Sequence, residues 1–217
     1  MIDILLILIV ATASFILTTR HIRSLITTYA IQSLLLAAIA VTRYEQEKSG
    51  ELLMLAAMTL LLKVFVIPMF LRRVHESMPV KRDIGFHYLQ PVFAMIAGIL
   101  IFLALYSLLS RFAPLMQVEK DSLFVAVLGI SLMFMGLIVI FTRLQALTDI
   151  VGYLTMENGV LLFSLFFQEL PFILEILVLL DLVVLIVVSA FLAFGIDATL
   201  EKFHEKLHQF SNLFGEE

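Results

Sequence analysis

Seven apolar runs of membrane length, at 2–19, 24–42, 51–71, 89–109, 122–142, 147–168 and 171–196, take up most of this chain. A helix needs about 20 residues to cross the hydrocarbon core of a bilayer. Every backbone polar group at that depth must find its partner within the protein. The chain is therefore expected to be an all-α polytopic membrane protein with about seven transmembrane helices and little soluble mass. Charged residues make up 15% of the 217, against about 25% in a soluble domain, and most lie between the apolar runs.

The formal net charge of −4 is spread over short connections on both faces and gives no support to nucleic-acid binding. No run of five or more basic residues exists. The absence of cysteine excludes disulfides, thiolate zinc sites and cysteine-held iron–sulfur clusters within this chain. Any electron transfer then belongs to a partner. The first run lacks a positive leading segment and carries Asp3, so it is read as a retained helix, although Ala11-Thr12-Ala13 imitates a cleavage site.

Basic residues set the expected orientation. Arg20, Arg23, Arg72, Arg73, Lys81, Arg82, Arg143, Lys202 and Lys206 collect on one face, and Arg43, Lys48, Arg111 and Lys120 on the other. That balance puts the N-terminus outside and the C-terminus in the cytoplasm. All five histidines (21, 75, 87, 204 and 208) then fall near the cytoplasmic face, where interfacial or solvated positions explain them best. Thr19-Arg20 closes the first run and Thr142-Arg143 the fifth, each followed by a short turn. The next run holds Gln32 in one case and Glu157 in the other, and the one after holds Lys63 or Asp181. This reads as a parallel repeat of helices 1–3 and 5–7 about an axis along the membrane normal. The expected organisation is a first three-helix unit (1–75), a linking helix with its flanking loops (76–120), a second three-helix unit (121–197) and a tail (198–217). In the tail, Leu200, Phe203, Leu207, Phe210 and Phe214 recur at helical spacing opposite charged residues, which predicts an amphipathic cytoplasmic helix.

Three ionisable residues, Lys63, Glu157 and Asp181, stand near the middle of apolar runs. An ionisable group at bilayer depth costs roughly 2.5–3.5 kcal/mol on insertion scales, so it seldom persists without a task. Glu157 lies near the middle of the sixth run, after the small residues Gly152 to Thr155 and before Asn158-Gly159. A carboxylate held there can load and unload a proton; its plainer role is a hydrogen bond to a neighbouring helix. Asp181, in the seventh run, is the favoured midplane partner, with Glu175 as the alternative nearer the outer surface. Lys63 shares its run with Pro68, which removes a helix hydrogen bond and favours a bend. Lys63 either exchanges a proton or forms a permanent ion pair with Glu157 or Asp181. Asp149, at the start of the sixth run, is read as interfacial. No phosphate-binding glycine loop, nucleophile elbow or helical zinc motif occurs.

Gly152-Tyr153-Leu154-Thr155-Met156-Glu157-Asn158-Gly159, together with Lys63 and the following Pro68, makes the chain resemble the hydrogenase-4 component E family. Those proteins are small membrane subunits of energy-converting, complex I-related [NiFe] hydrogenases. The last three runs also resemble the K (4L) subunit of respiratory complex I and, more distantly, the C subunit of Mrp-type cation/proton antiporters. Glu157 matches the first membrane acid of the K subunit, and Asp181 best matches the second. The glycine, however, stands five residues before Glu157 rather than two. The resemblance implies a place between a quinone or hydrogenase module and antiporter-like subunits in a bacterial or archaeal inner membrane. It also implies that the chain holds no cofactor of its own, with the nickel–iron centre and iron–sulfur clusters in partner subunits.

The expected function is a non-redox membrane subunit contributing buried carboxylates to proton or cation translocation. Its alternatives are a structural subunit that tethers antiporter-like partners without carrying ions, and a free-standing secondary transporter.

Overall fold

In the computed structural model, the described residues are 2–77, 90–116, 120–143, 145–165, 176, 179–188 and 190. All regular elements among them are helices: α1 (Ile2–Thr18), α2 (Ile22–Glu47), α3 (Gly50–Met58), a π-helical stretch (Thr59–Val66), α4 (Ile67–Ser77), α5 (Pro91–Met116), α6 (Lys120–Thr142), α7 (Ala146–Ser164) and α8 (Leu179–Val188). The chain is an all-α membrane protein. The C-terminal tail predicted to be amphipathic lies outside the described residues.

Several helices run past the apolar segments that nucleate them. The stretch from Arg43 was expected as a loop to Gly50, but α2 continues to Glu47. Arg43, Gln46 and Glu47 are good helix formers and nothing breaks the ladder before Ser49. Lys48 closes the helix at φ 55°, its N–H bonded to the Tyr44 carbonyl. Likewise α4 carries Arg72, Arg73 and His75 within its turns, and His75 is buried rather than solvated.

Four described helices, at Ile22–Gln46, Gly50–Glu76, Pro91–Phe112 and Ser122–Thr142, are long and apolar enough to cross a membrane. Shorter apolar helices cover Ile2–Thr18 and Leu179–Val188. α7 has 19 residues, yet its polar side chains dilute its apolar character. It is tolerated because α7 is wrapped by protein: Thr148, Thr155, Glu157 and Asn158 are all buried. α5 is the opposite case, with Phe93, Ile96, Ile99, Leu100 and Leu103 exposed along it. An apolar surface of that extent suits lipid.

α2 is the central helix, packed against α1, the α3–α4 rod and α7. The apolar interior divides into two clusters. One holds Leu6, Ile9, Leu36, Ile39, Leu52, Leu55, Leu132 and Leu161. The other holds Ile16, Leu25, Ile26, Ile67, Leu71, Val139, Val151 and Leu154. On three of the helical segments, buried polar residues lie between these clusters: Gln32 and Ser33 on α2, Thr59 and Lys63 on the π stretch, Thr155, Glu157 and Asn158 on α7. The bundle therefore carries a polar layer sandwiched between two apolar ones.

α6 and α7 are held closest. Gly129 faces Gly159 and Gly136 faces Gly152, an antiparallel pairing with the two glycines seven positions apart on each helix. A Cβ on Gly159 would stand 2.6 Å from the Gly129 carbonyl oxygen and 2.6 Å from the Met133 nitrogen. Only glycine permits this approach of two backbones.

Candidate functional site

The polar layer is organised around Lys63. Its helix leaves α geometry just where the lysine sits, and the Ile67 N–H reaches the Leu62 carbonyl five residues back. Pro68, with no N–H to give the Val64 carbonyl, explains why the wider turn is tolerated here. Lys63 Nζ lies 3.0 Å from Glu157 Oε1 on α7 and 3.8 Å from Asp181 Oδ1 on α8. Lys63 and Glu157 are each 1% exposed, and Asp181 is also buried. The two carboxyl groups act on each other as well as on the lysine. Two ion contacts thus tie three helices together across the core.

Beside the triad, the Asn158 side-chain amide donates to Gln32 Oε1 and to Ser33 Oγ, both at 3.1 Å. Gln32 Nε2 in turn points to Thr12 Oγ1 on α1 at 3.5 Å. These contacts extend the polar layer from α7 through α2 to α1. Tyr29, one turn before Gln32 and Ser33, is fully buried and lies within electrostatic reach of both acids. Tyr153, half-buried and one turn before Glu157, also lies within electrostatic reach of both acids.

Of the residues singled out from sequence, the structure brings Lys63, Glu157 and Asp181 together. Glu175 lies outside the described residues. Asp149 does not join them. It stands in the first turn of α7 beside Arg143, whose Nη2 donates to the carbonyls of Ile16 and Leu17 at the end of α1. Burial lowers the Arg143 pKa to about 10, opposed by the Asp149 charge, so it remains a cation at neutral pH. Gln32 and Asn158 were visible as mid-helix polar residues, but their pairing was not. Tyr29 and Tyr153 were not singled out; for Tyr153 the available signal was its place one turn before Glu157, and Tyr29 carried none. Among the described residues no group of three or more His, Asp and Glu side chains converges to hold a metal.

A helical bundle with a buried, hydrogen-bonded ionic layer at mid-height defines a class: polytopic membrane proteins with ionisable groups in the protein interior rather than against lipid. Within that class the chain is similar to hydrogenase-4 component E of Escherichia coli K12, 28% identical over 191 residues that span 86% of this chain and 85% of that protein. The corresponding proteins of Escherichia coli O157:H7 and Shigella flexneri match to the same extent. This agrees with the family that the Glu157 and Lys63 segments resemble. No family model matches the chain, and no solved structure does.

Proposed function

We propose that this chain is a membrane subunit of a hydrogenase complex of the energy-converting, complex I-like kind, in a bacterial inner membrane. In it, Glu157, Asp181 and Lys63 take part in moving protons. The similarity to hydrogenase-4 component E over most of both chains supports the first part. The observation that carries the second is the buried cluster of one ammonium and two carboxyls. Such a cluster is neutral when one carboxyl holds a proton, and a lone uncompensated charge at this depth is expensive. The proton therefore has two acceptors close to one cation. A change of charge or hydration next to the cluster shifts it between them or releases it. The hydrogen bonds from Asn158 to Gln32 and Ser33 supply a polar lateral route towards α1. Gln32, Lys63, Glu157 and Asp181 are all buried.

On this reading the nickel–iron centre and clusters reside in partner subunits, and antiporter-like subunits adjoin the bundle. The test is Glu157→Gln in the assembled complex. Loss of redox-driven proton movement, with assembly and hydrogenase turnover retained, is expected. Unchanged pumping at normal assembly overturns the proposal.

A structural role is the second reading, favoured by one observation: the 3.0 Å Lys63–Glu157 pair joins two helices from distant parts of the chain. Under it, Glu157→Gln reduces assembly on a native gel at least as much as it reduces activity.

A further inference from the structure

A groove of about 610 Å³ opens on the outside of the bundle between α2 and the π–α4 rod. It is separate from the ionic cluster. Phe65, Pro68 and Met69 form its apolar wall, and Ala30 on α2 leaves room opposite them. Arg72 and Arg73 stand at its rim, both exposed. Positions 65, 69, 72 and 76 recur at steps of four, three and four, so one helix face runs from apolar to cationic. From Phe65 to Arg72 the rise is about 10 Å. Arg72 is aimed by its Nη2, which donates to Thr27 Oγ1 at 3.2 Å. The rim also carries a carboxylate, Glu76, but Arg23 faces it at 3.6 Å and offsets its charge. Two arginine charges remain at the rim. Arg20, Arg23 and Arg143 lie at the same end of the described helices.

We infer that this groove binds an anionic phospholipid, its phosphate held by Arg72 and Arg73 and the upper part of one acyl chain lying along Met69, Pro68 and Phe65. Charge complementarity selects the headgroup, since guanidinium matches phosphate with paired donors. The apolar wall directly below selects a ligand that carries a chain. A volume near 610 Å³ falls in the range of small-molecule sites. Basic pockets between helices at a membrane surface are suited to such lipids.

The experiment is native mass spectrometry of the full chain, with whatever subunits co-purify, from micelles holding equal phosphatidylglycerol and phosphatidylcholine. Two arginines acting at about 1 kcal/mol each predict a preference of roughly 30-fold for phosphatidylglycerol. R72Q/R73Q should abolish the preference, and R111Q, an exposed arginine on α5, should leave it intact. M69W keeps both arginines but fills the groove, and should lose the retained lipid; it decides the matter if the double variant does not fold. Equal retention of both lipids, an equal loss in R111Q, or retention unaffected by M69W overturns the inference. Displacement of the lipid by excess inorganic phosphate alone does so too, since it assigns the site to a free anion.

Discussion

The Lys63 ammonium lies 3.0 Å from a Glu157 carboxylate oxygen with both side chains sealed from solvent, and the two residues come from helices far apart in sequence. Breaking a buried pair by removing one partner leaves an uncompensated charge and costs about 3–5 kcal/mol. Lys63→Met is therefore expected to lower stability by that order, because Glu157 and Asp181 then face each other without a cation. Neutralising all three, as K63M/E157Q/D181N, should recover most of the loss. Thermal unfolding of the purified chain in one detergent checks both. A triple variant as unstable as K63M would show that packing rather than charge holds the site.

The glycine pairs between α6 and α7 give a second expectation. A methyl group at Gly159 meets two backbone atoms at 2.6 Å, which cannot swing aside as a side chain can. Gly159→Ala should push the helices apart, and the fraction of monodisperse protein on size-exclusion chromatography should fall sharply. Gly98→Ala is the control: its nearest neighbour is the end of the Met135 side chain at 3.1 Å, which can move. Similar behaviour of the two variants would contradict the close backbone approach.

What the sequence made legible was set by residue type, and what it hid was set by register. Glu157, Asp181 and Lys63 were conspicuous because charge inside an apolar run is costly, and their own helices gave no other use for them. That all three meet depends on how the helices rotate against one another, which periodicity along one helix does not define. Gly152 and Gly159 were recognisable as small residues, but their partners Gly129 and Gly136 carried no signal until the antiparallel pairing aligned them. The helix ends were misplaced for a similar reason. The apolar run ends where lipid ends, whereas α2 continues through Arg43 to Glu47 because only a breaker stops it. The π-helical stretch was foreshadowed by Pro68 only as a bend. The wider turn beneath Lys63 also requires a partner helix that receives the lysine.

Asn158 supports the polar layer rather than the ion pair. Its amide donates to Gln32 and Ser33, and replacement by leucine leaves both acceptors buried without that donor. Hydrogen bonds between membrane helices are worth about 0.6–2 kcal/mol each. Asn158→Leu should destabilise the chain within that range per bond. Ser33→Ala added to it should cost less than it does alone, since the bond is already gone. A double-mutant cycle on unfolding free energies measures the coupling. Strict additivity of the two substitutions would exclude the contact.

Arg143 ties the turn between α6 and α7 to the end of α1. Its Nη2 donates to the Ile16 and Leu17 carbonyls, which belong to the last turn of α1 and have no full set of intrahelical donors. A cation at a helix C-terminus also meets the negative end of the macrodipole. Arg143→Met removes both effects, and a lost charged hydrogen bond of this kind costs about 1.5–3 kcal/mol. Arg143→Lys keeps the charge but not the fork of donors, so its loss should be smaller. The effect should concentrate locally: amide hydrogen exchange in the final turn of α1 should accelerate in R143M while the α2 centre keeps its protection. Because burial lowers the guanidinium pKa only to about 10, the cap stays charged across neutral pH. The difference between wild type and R143M should therefore hold constant from roughly pH 6 to pH 8, well below that midpoint. Loss of the difference within that interval would mean that a different titrating group, rather than Arg143, secures the end of α1.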